Sequence, residues 1–143
     1  MAEKFPATAT CLCGAVTIQA AALSTKADAC HCGMCRKWGG GPLLAVDGGS
    51  QVTIEGAEHV TVFNSSEWAE RGFCNRCGTH LFYHLKDLDR YIMPAGLFSD
   101  AEDRFQFTHQ IFIDHKPAFY EFANATSNLT ETEVIAQFAP PPK

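Results

Sequence analysis

Two cysteines separated by two residues stand in the stretch FCNRCGT, residues 73–79. This spacing is typical of a knuckle that supplies two thiolates to one metal ion, and Gly78 allows the positive φ that such a tight turn requires. The same spacing occurs in redox couples, but those lie at the start of a helix, whereas a strand-like run, Leu81–Tyr83, follows here. The stretch therefore predicts a zinc knuckle rather than a redox pair.

A second pair, Cys11 and Cys13, has the spacing of an extended chain. Residues i and i+2 of a strand point to the same face, so both sulfurs can reach one ion. Together with Cys74 and Cys77 they complete a four-thiolate tetrahedron, a closed structural zinc site without an open position. Because residues 14–73 lie between the two pairs, metal binding at this site is expected to contribute directly to folding.

The other three cysteines lie in the stretch CHCGMC, residues 30–35. Cys30 and Cys32 share a face of an extended segment, and Cys35 follows on a turn. Three thiolates leave the fourth tetrahedral position free for water or a substrate sulfur, which is what distinguishes a catalytic zinc from a structural one. The sequence therefore predicts two Zn²⁺ ions per chain, with the second held by Cys30, Cys32 and Cys35.

Spacing alone leaves other arrangements open. The four cysteines at positions 11, 13, 30 and 32 could form the closed site and leave Cys35 with the knuckle. A histidine could close the second site; His31 should point to the opposite face in an extended segment, so the candidates are His59, His80, His84 and His109. Cysteines also serve as small core hydrophobes, and an exposed cluster such as residues 30–35 can act as a redox sensor.

Length and composition bound the class of protein. With 143 residues, 46% hydrophobic and 19% charged, the chain suits one folded domain over 1–143, with a core at about 10–138 and a frayed tail at 139–143. An odd number of cysteines, seven, argues against a pure disulfide framework. The net charge of −5 argues against a nucleic-acid partner. No run is long enough to span a membrane, and the first ten residues lack a signal-peptide core, so a cytoplasmic protein is expected.

Short β-prone runs separated by turn residues predict a mainly β, antiparallel fold. They are Ala15–Ala20, Pro42–Val46, Gln51–Ile54, His59–Phe63, Leu81–Leu85, Tyr91–Met93 and Phe105–Ile113. Helix is expected only as short turns, one from near Cys35 to the glycines at 39–41 and one opened by a capping box at Thr130–Glu133.

The predicted strand Phe105–Ile113 places His109 in the same row as Phe105, Phe107, Ile111 and Ile113. A histidine at the edge of a core is normally hydrogen-bonded, and that role is expected here rather than metal binding. The aromatic residues that follow are expected to pack in the core. They are Phe112, Phe119, Tyr120 and Phe122.

The order of the three cysteine clusters resembles the glutathione-dependent formaldehyde-activating family, whose domain also occurs in centromere protein V. The matching stretches are CLCG at 11–14, CHCGMCR at 30–36 and FCNRCGT at 73–79, and the likeness runs from about residue 10 to 122. It implies a β-tent pinned by a zinc on Cys11, Cys13, Cys74 and Cys77. It also implies a second zinc on Cys30, Cys32 and Cys35, where a glutathione adduct reacts. The chain departs from the family pattern at Thr10, where glycine is common, and at Phe119, where tryptophan is frequent.

The activity implied by the resemblance is that of a carbon–sulfur lyase that forms or cleaves S-hydroxymethylglutathione. Glutathione carries two carboxylates, and Arg36 is the cation nearest in sequence to the second site that can grip one with two hydrogen bonds. The alternative is a zinc-stapled protein-binding module without catalysis, in which a histidine closes the second site. The sequence leaves the oligomeric state open.

Overall fold

A computed structural model describes residues 3–138 of the chain, with side chains to residue 137. The strands are β1 Lys4–Thr10, β2 Thr17–Ser24, β3 Lys26–Cys30, β4 Leu43–Asp47, β5 Val52–Glu55, β6 Val60–Asn64, β7 Ala69–Cys74, β8 His80–Leu85, β9 Arg90–Pro94, β10 Gln106–Ile111 and β11 Ser127–Leu129. The helices are α1 Gly33–Gly39 and α2 Glu131–Phe138, with single 3₁₀ turns elsewhere. This confirms a mainly β fold with few short helices. The predicted tail at 139–143 lies outside the described residues.

The chain packs as two compact units. Within the described residues, the first contains 3–27 together with Ala45–Gln106, and the second contains Asp28–Leu44 together with 107–138. The expectation of one domain over 1–143 stays a prediction. Within residues 3–138, no helix combines the length and the apolar character needed to cross a bilayer.

The first unit contains two antiparallel arrays of strands. One is the three-stranded sheet β1-β2-β5, and the other follows the order β4-β9-β8-β7-β6. Fully buried side chains fill its core, among them Ile18, Leu23, Leu81, Met93 and Phe98. The buried sulfur-bearing residues Cys11 and Cys74 belong to the same core cluster, so the predicted metal knuckle is anchored in the best-packed part of this unit.

The second unit carries β10 beside β11 and β3, and the β10–β11 pair is parallel. The capping box predicted at the start of α2 is confirmed: the Thr130 N–H donates to Glu133 Oε1 at 2.9 Å, and the Glu133 N–H donates to Thr130 Oγ1 at 3.2 Å. Helix α1 ends at Gly40, whose φ of +88° is the left-handed cap that glycine adopts without strain.

Two predictions about the aromatic C-terminal part are wrong. The strand that was predicted to run to Ile113 ends at Ile111. Gln110 is buried, although it lies outside the row that was predicted to face the core. The His109 side chain, which belongs to that row, is about a third exposed. Phe119 is 83% exposed and does not lie in a core. The first difference arises because hydrogen bonds to His31 and Thr126 hold the Gln110 side chain inward.

The Gly72→Ala substitution is expected to destabilise the first unit by roughly 1–3 kcal/mol, because overpacking at a filled site forces the neighbours to move. A Cβ at this position of β7 would lie 2.3 Å from the Phe82 ring, which is itself buried. Thermal unfolding measures the loss. Gly96→Ala is the matched control, since no atom lies within 4 Å of its added Cβ; an equal fall in Tm for both variants would contradict the packing argument.

Candidate metal centres and active site

Four cysteine sulfurs of the first unit meet at one point. The Sγ atoms of Cys11, Cys13, Cys74 and Cys77 all lie within 4.8 Å of one another, with 3.6 Å between Cys11 and Cys13 and 3.7 Å between Cys13 and Cys74. One pair follows β1 and the other begins at the end of β7. The spacing that favoured this set over the mixed grouping thus agrees with the geometry, and the group could hold a metal ion.

The turn at 74–78 forms because two local features favour it. The Gly78 N–H donates to the Cys74 carbonyl at 2.8 Å, and Gly78 has φ of +78°, a conformation that strains any residue with a Cβ. The Thr79 hydroxyl lies 3.1 Å from the Cys77 sulfur and lowers the pKa of that thiol to about 5. A sulfur that is already favoured as thiolate is ready to bind a cation.

Three cysteine sulfurs of the second unit form a separate group. Cys30 ends β3, Cys32 caps the N-terminus of α1, and Cys35 lies in its first turn, with all three Sγ atoms within 4.8 Å of one another. The Cys35 N–H donates to the Cys32 sulfur at 3.3 Å. Cys30 and Cys35 are buried and Cys32 is half-buried, so the group opens to solvent on the Cys32 side.

The chemistry of this donor set fits a soft divalent cation. Hydrogen bonds with Cys32 and Cys35, reinforced by burial, strongly raise the pKa of the Cys30 thiol. Three adjacent thiolates repel one another, and a bound divalent cation removes that penalty while taking the place of the protons. Zinc is a borderline-soft ion, and soft thiolate ligands favour its binding in proteins.

None of the histidines joins either cysteine group among residues 3–138. His84 lies between two carboxylates, with its ring nitrogens 3.0 Å from Glu70 Oε1 and 2.8 Å from Asp89 Oδ1. His109 contacts the Thr108 hydroxyl at 2.8 Å. The described part of the chain therefore provides three sulfurs and no fourth protein ligand at the second group.

His31, which lies between two cysteines of the second group, faces away from them and is fully buried. Its Nδ1 lies 2.7 Å from the Tyr120 hydroxyl, and its Nε2 lies 2.8 Å from Gln110 Oε1. Burial lowers the pKa of His31 and so favours the neutral ring. Sequence reasoning predicted the opposite-face orientation but missed both partners, because neither position has a local motif that marks it.

A cavity of about 390 Å³ lies beside the second group in the same unit. Its lining is Gly33, Arg36, Lys37, Gly40, Gly41, Phe119 and Tyr120. The Arg36 side chain is held in place by its Nε, which donates to the His31 carbonyl at 2.8 Å. Two cations, small glycines and two aromatic rings thus line this space, and Gly33 and Arg36 directly follow Cys32 and Cys35 in the chain.

Comparison with known proteins places these groups in a family. A family model described as glutathione-dependent formaldehyde-activating enzyme matches residues 6–115. The chain belongs to this family. Both cysteine groups lie inside the matched residues, whereas Phe119 and Tyr120 follow them.

The chain is also similar to one curated protein and to one solved structure. An uncharacterized lyase of Schizosaccharomyces pombe is 37% identical over 126 residues, which are 87% of this chain and 91% of that protein. The crystal structure of a Rhodobacter sphaeroides protein superposes with a TM-score of 0.55 and 27% identity, covering 63% of this chain and 85% of that one. The family and the lyase relative support an enzyme with lyase-type activity.

Proposed function

We propose that this protein is a zinc-dependent carbon–sulfur lyase that forms or cleaves the S-hydroxymethyl adduct of a thiol, with glutathione as the thiol and formaldehyde as the aldehyde. The observation that carries the proposal is the group of three cysteine sulfurs, which has no fourth protein ligand among residues 3–138. Such a site has a free coordination position beside a cavity that bears cations.

We assign one zinc ion to each cysteine group. Cys11, Cys13, Cys74 and Cys77 supply a complete tetrahedral set, so their role is structural. Cys30, Cys32 and Cys35 supply three of four positions, so their role is catalytic. When bound there, zinc supplies a Lewis acid that lowers the pKa of a thiol and polarises a carbonyl.

The residues of the cavity bind and orient the thiol. The Nε hydrogen bond to the His31 carbonyl holds the Arg36 guanidinium, and Arg36 lines the cavity. A carboxylate of glutathione fits this fork, and Lys37 adds a second positive charge. Phe119, which is mostly exposed, provides apolar surface against the substrate.

The bond changes balance within thiol and aldehyde alone. The sulfur electron pair forms the new S–C bond, the C=O π pair moves to oxygen, and the thiol proton ends on that oxygen as the hydroxyl. Cleavage is the reverse. No oxidant or reductant is required.

The binding-module alternative is less well supported by the geometry. It needs a histidine to close the second site, but the nearest one, His31, directs both ring nitrogens to Tyr120 and Gln110. A cavity with Arg36 and Lys37 is also a feature of a small anionic ligand site rather than of an inert staple.

NMR exchange measurements on glutathione mixed with ¹³C-formaldehyde test the proposal. Because the adduct also forms without a catalyst, the measured quantity is the exchange rate above the protein-free rate. The zinc-loaded protein is expected to accelerate exchange in proportion to its concentration. An exchange rate equal to that with heat-unfolded protein and free zinc would refute the lyase function.

The Arg36→Ala variant is expected to raise KM for glutathione about tenfold, the equivalent of about 1.4 kcal/mol. The reason is the loss of a charge-assisted bond to a substrate carboxylate, partly screened by solvent. Kinetics with 2-mercaptoethanol, a neutral thiol, provide the control: loss of the Arg36 bond to the His31 carbonyl affects both thiols, whereas KM for glutathione is expected to rise about tenfold more than KM for 2-mercaptoethanol. If KM rises by the same factor for both thiols, Arg36 acts on the fold of the site and not on the carboxylate of glutathione.

A further inference from the structure

The residue between two metal-binding cysteines is fixed at all of its polar atoms. The His31 N–H donates to the Ile111 carbonyl at 3.1 Å, and the His31 carbonyl accepts from Arg36 Nε at 2.8 Å. The ring is fully buried and stacks on Tyr120, with centroids 5.5 Å apart and planes inclined by 28°. This residue therefore has little freedom to rotate or shift.

The hydrogen-bond partners also fix the tautomer of the ring. Gln110 Nε2 donates to Thr126 Oγ1 at 2.9 Å, and the Thr126 hydroxyl donates to Asn128 Oδ1 at 2.7 Å. Gln110 therefore turns its oxygen to His31 and accepts the Nε2–H. In a neutral ring Nδ1 then carries no hydrogen, so the Tyr120 hydroxyl donates to it. In these four contacts, which we call the His31 network, each donor faces an acceptor.

The network holds the backbone that carries two ligands. Cys30 and Cys32 are covalent neighbours of His31, so a change in the position of residue 31 moves both sulfurs. Groups that hydrogen-bond to metal ligands and orient them typically contribute to metal binding, and their removal lowers metal affinity 10–100-fold. The usual case is a second hydrogen bond from a ligating histidine, whereas here the clamped histidine lies between the ligands and does not itself ligate.

We propose that Tyr120 and Gln110 are positioning residues of the three-cysteine site: by clamping both ring nitrogens of His31 they set the spacing of the Cys30 and Cys32 sulfurs. The inference rests on the proposed function only in taking these cysteines as metal ligands. Tyr120 also lines the cavity, and its hydroxyl lies 2.7 Å from His31 Nδ1, so the segment that follows the matched family region is attached to the site at this residue.

Tyr120→Phe tests the inference with a single lost hydroxyl. The ring stays to line the cavity and to stack on His31. With zinc in the four-cysteine site, Co²⁺ is titrated into the three-cysteine site and followed by its thiolate charge-transfer and d–d absorption. The variant is expected to bind Co²⁺ 10–100-fold more weakly and to show a shifted d–d band, because the sulfurs take a less regular arrangement.

Tyr91→Phe is the matched control. Tyr91 is also stacked on a histidine, His84, with centroids 4.3 Å apart, but it belongs to the first unit. Its loss of a hydroxyl is expected to leave Co²⁺ affinity and spectrum at the three-cysteine site unchanged. Weakening of the same size in both variants would overturn the inference, since it would reflect a general loss of stability.

Gln110→Met provides a second, independent variant of similar volume. It leaves the buried Nε2–H without its acceptor and is expected to weaken Co²⁺ binding by at least as much as Tyr120→Phe. If Tyr120→Phe and Gln110→Met both kept the wild-type Co²⁺ affinity and spectrum, the positioning role would be refuted. A wild-type protein that fails to accelerate adduct exchange, while both variants still weaken Co²⁺ binding, would remove the lyase function and leave this inference standing.

Discussion

The Cys74→Ser variant is expected to lose its cooperative folded state. Cys74 is fully buried, belongs to the core cluster of the first unit, and shares the four-sulfur group. A structural zinc contributes about 10–16 kcal/mol in small zinc-finger peptides, which is comparable with the whole stability of an ordinary domain, about 5–15 kcal/mol. A set with one sulfur replaced by a weakly binding hydroxyl cannot retain most of that free energy.

Circular dichroism and thermal unfolding of the purified variant measure this loss, with a metal count on the same sample. Treating the wild type with a strong chelator supplies the matched control, because it removes the metal without changing the core. Both are expected to abolish the unfolding transition. A variant that melts within about 5 °C of the wild type would show that the fold does not depend on this metal, since a buried serine alone costs only about 1–3 kcal/mol.

The grouping of the cysteine sulfurs could be predicted from the sequence because it depends on local spacing. The Cys11 and Cys13 sulfurs meet in a turn, closed by the Gly14 N–H on the Cys11 carbonyl at 3.0 Å, and not in the extended segment that their spacing predicts. The turn before Gly78 brings the other pair together as predicted. The capping box at Thr130 and the glycine end of α1 are local in the same sense. Each signal lies within about four residues, so no knowledge of the tertiary structure is needed to interpret it.

Four strands gave no usable signal, and the reasons differ. β1 contains Pro6, which a pattern search assigns to an edge or a loop. β7 carries Arg71 in its centre, and that side chain is buried because its guanidinium stacks on the Tyr83 ring at 4.7 Å. β3, with the sequence KADAC, has no β-branched or aromatic residue. β11 has only three residues and pairs in parallel with β10. Tertiary partners decide all of these cases.

The support for the second site could not be predicted for the same reason. Gln110 lies in a row that alternation assigns to the surface, yet it is buried because His31 and Thr126 satisfy its amide. The sequence predicts that Phe119 lies in the core, but its side chain is exposed and lines the cavity. Spacing identifies metal ligands, whereas the groups that hold them are recognised only once distant segments are in contact.

The Cys32→Ser variant is expected to stay folded and to lose its lyase activity. Cys32 is half-buried, lies outside the four-sulfur group, and caps α1 by accepting from the Cys35 N–H. Serine is among the best residues at that position, so the helix keeps its cap. The second group, reduced to two sulfurs, loses the metal that the proposed chemistry requires. We expect the part of the exchange rate above the protein-free rate to fall at least about 10³-fold, the equivalent of about 4 kcal/mol.

Three measurements on Cys32→Ser separate the possibilities: Tm, metal content and adduct exchange. The expected result is a Tm within about 2 °C of the wild type, one zinc per chain instead of two, and exchange at the protein-free rate. Met34→Leu, an exposed change between Cys32 and Cys35, is the control and should retain both ions and activity. Unfolding of Cys32→Ser like Cys74→Ser would mean that both sites are structural. Full activity with one zinc would place the chemistry away from the three cysteines, because an open coordination position is the reason for assigning catalysis to them.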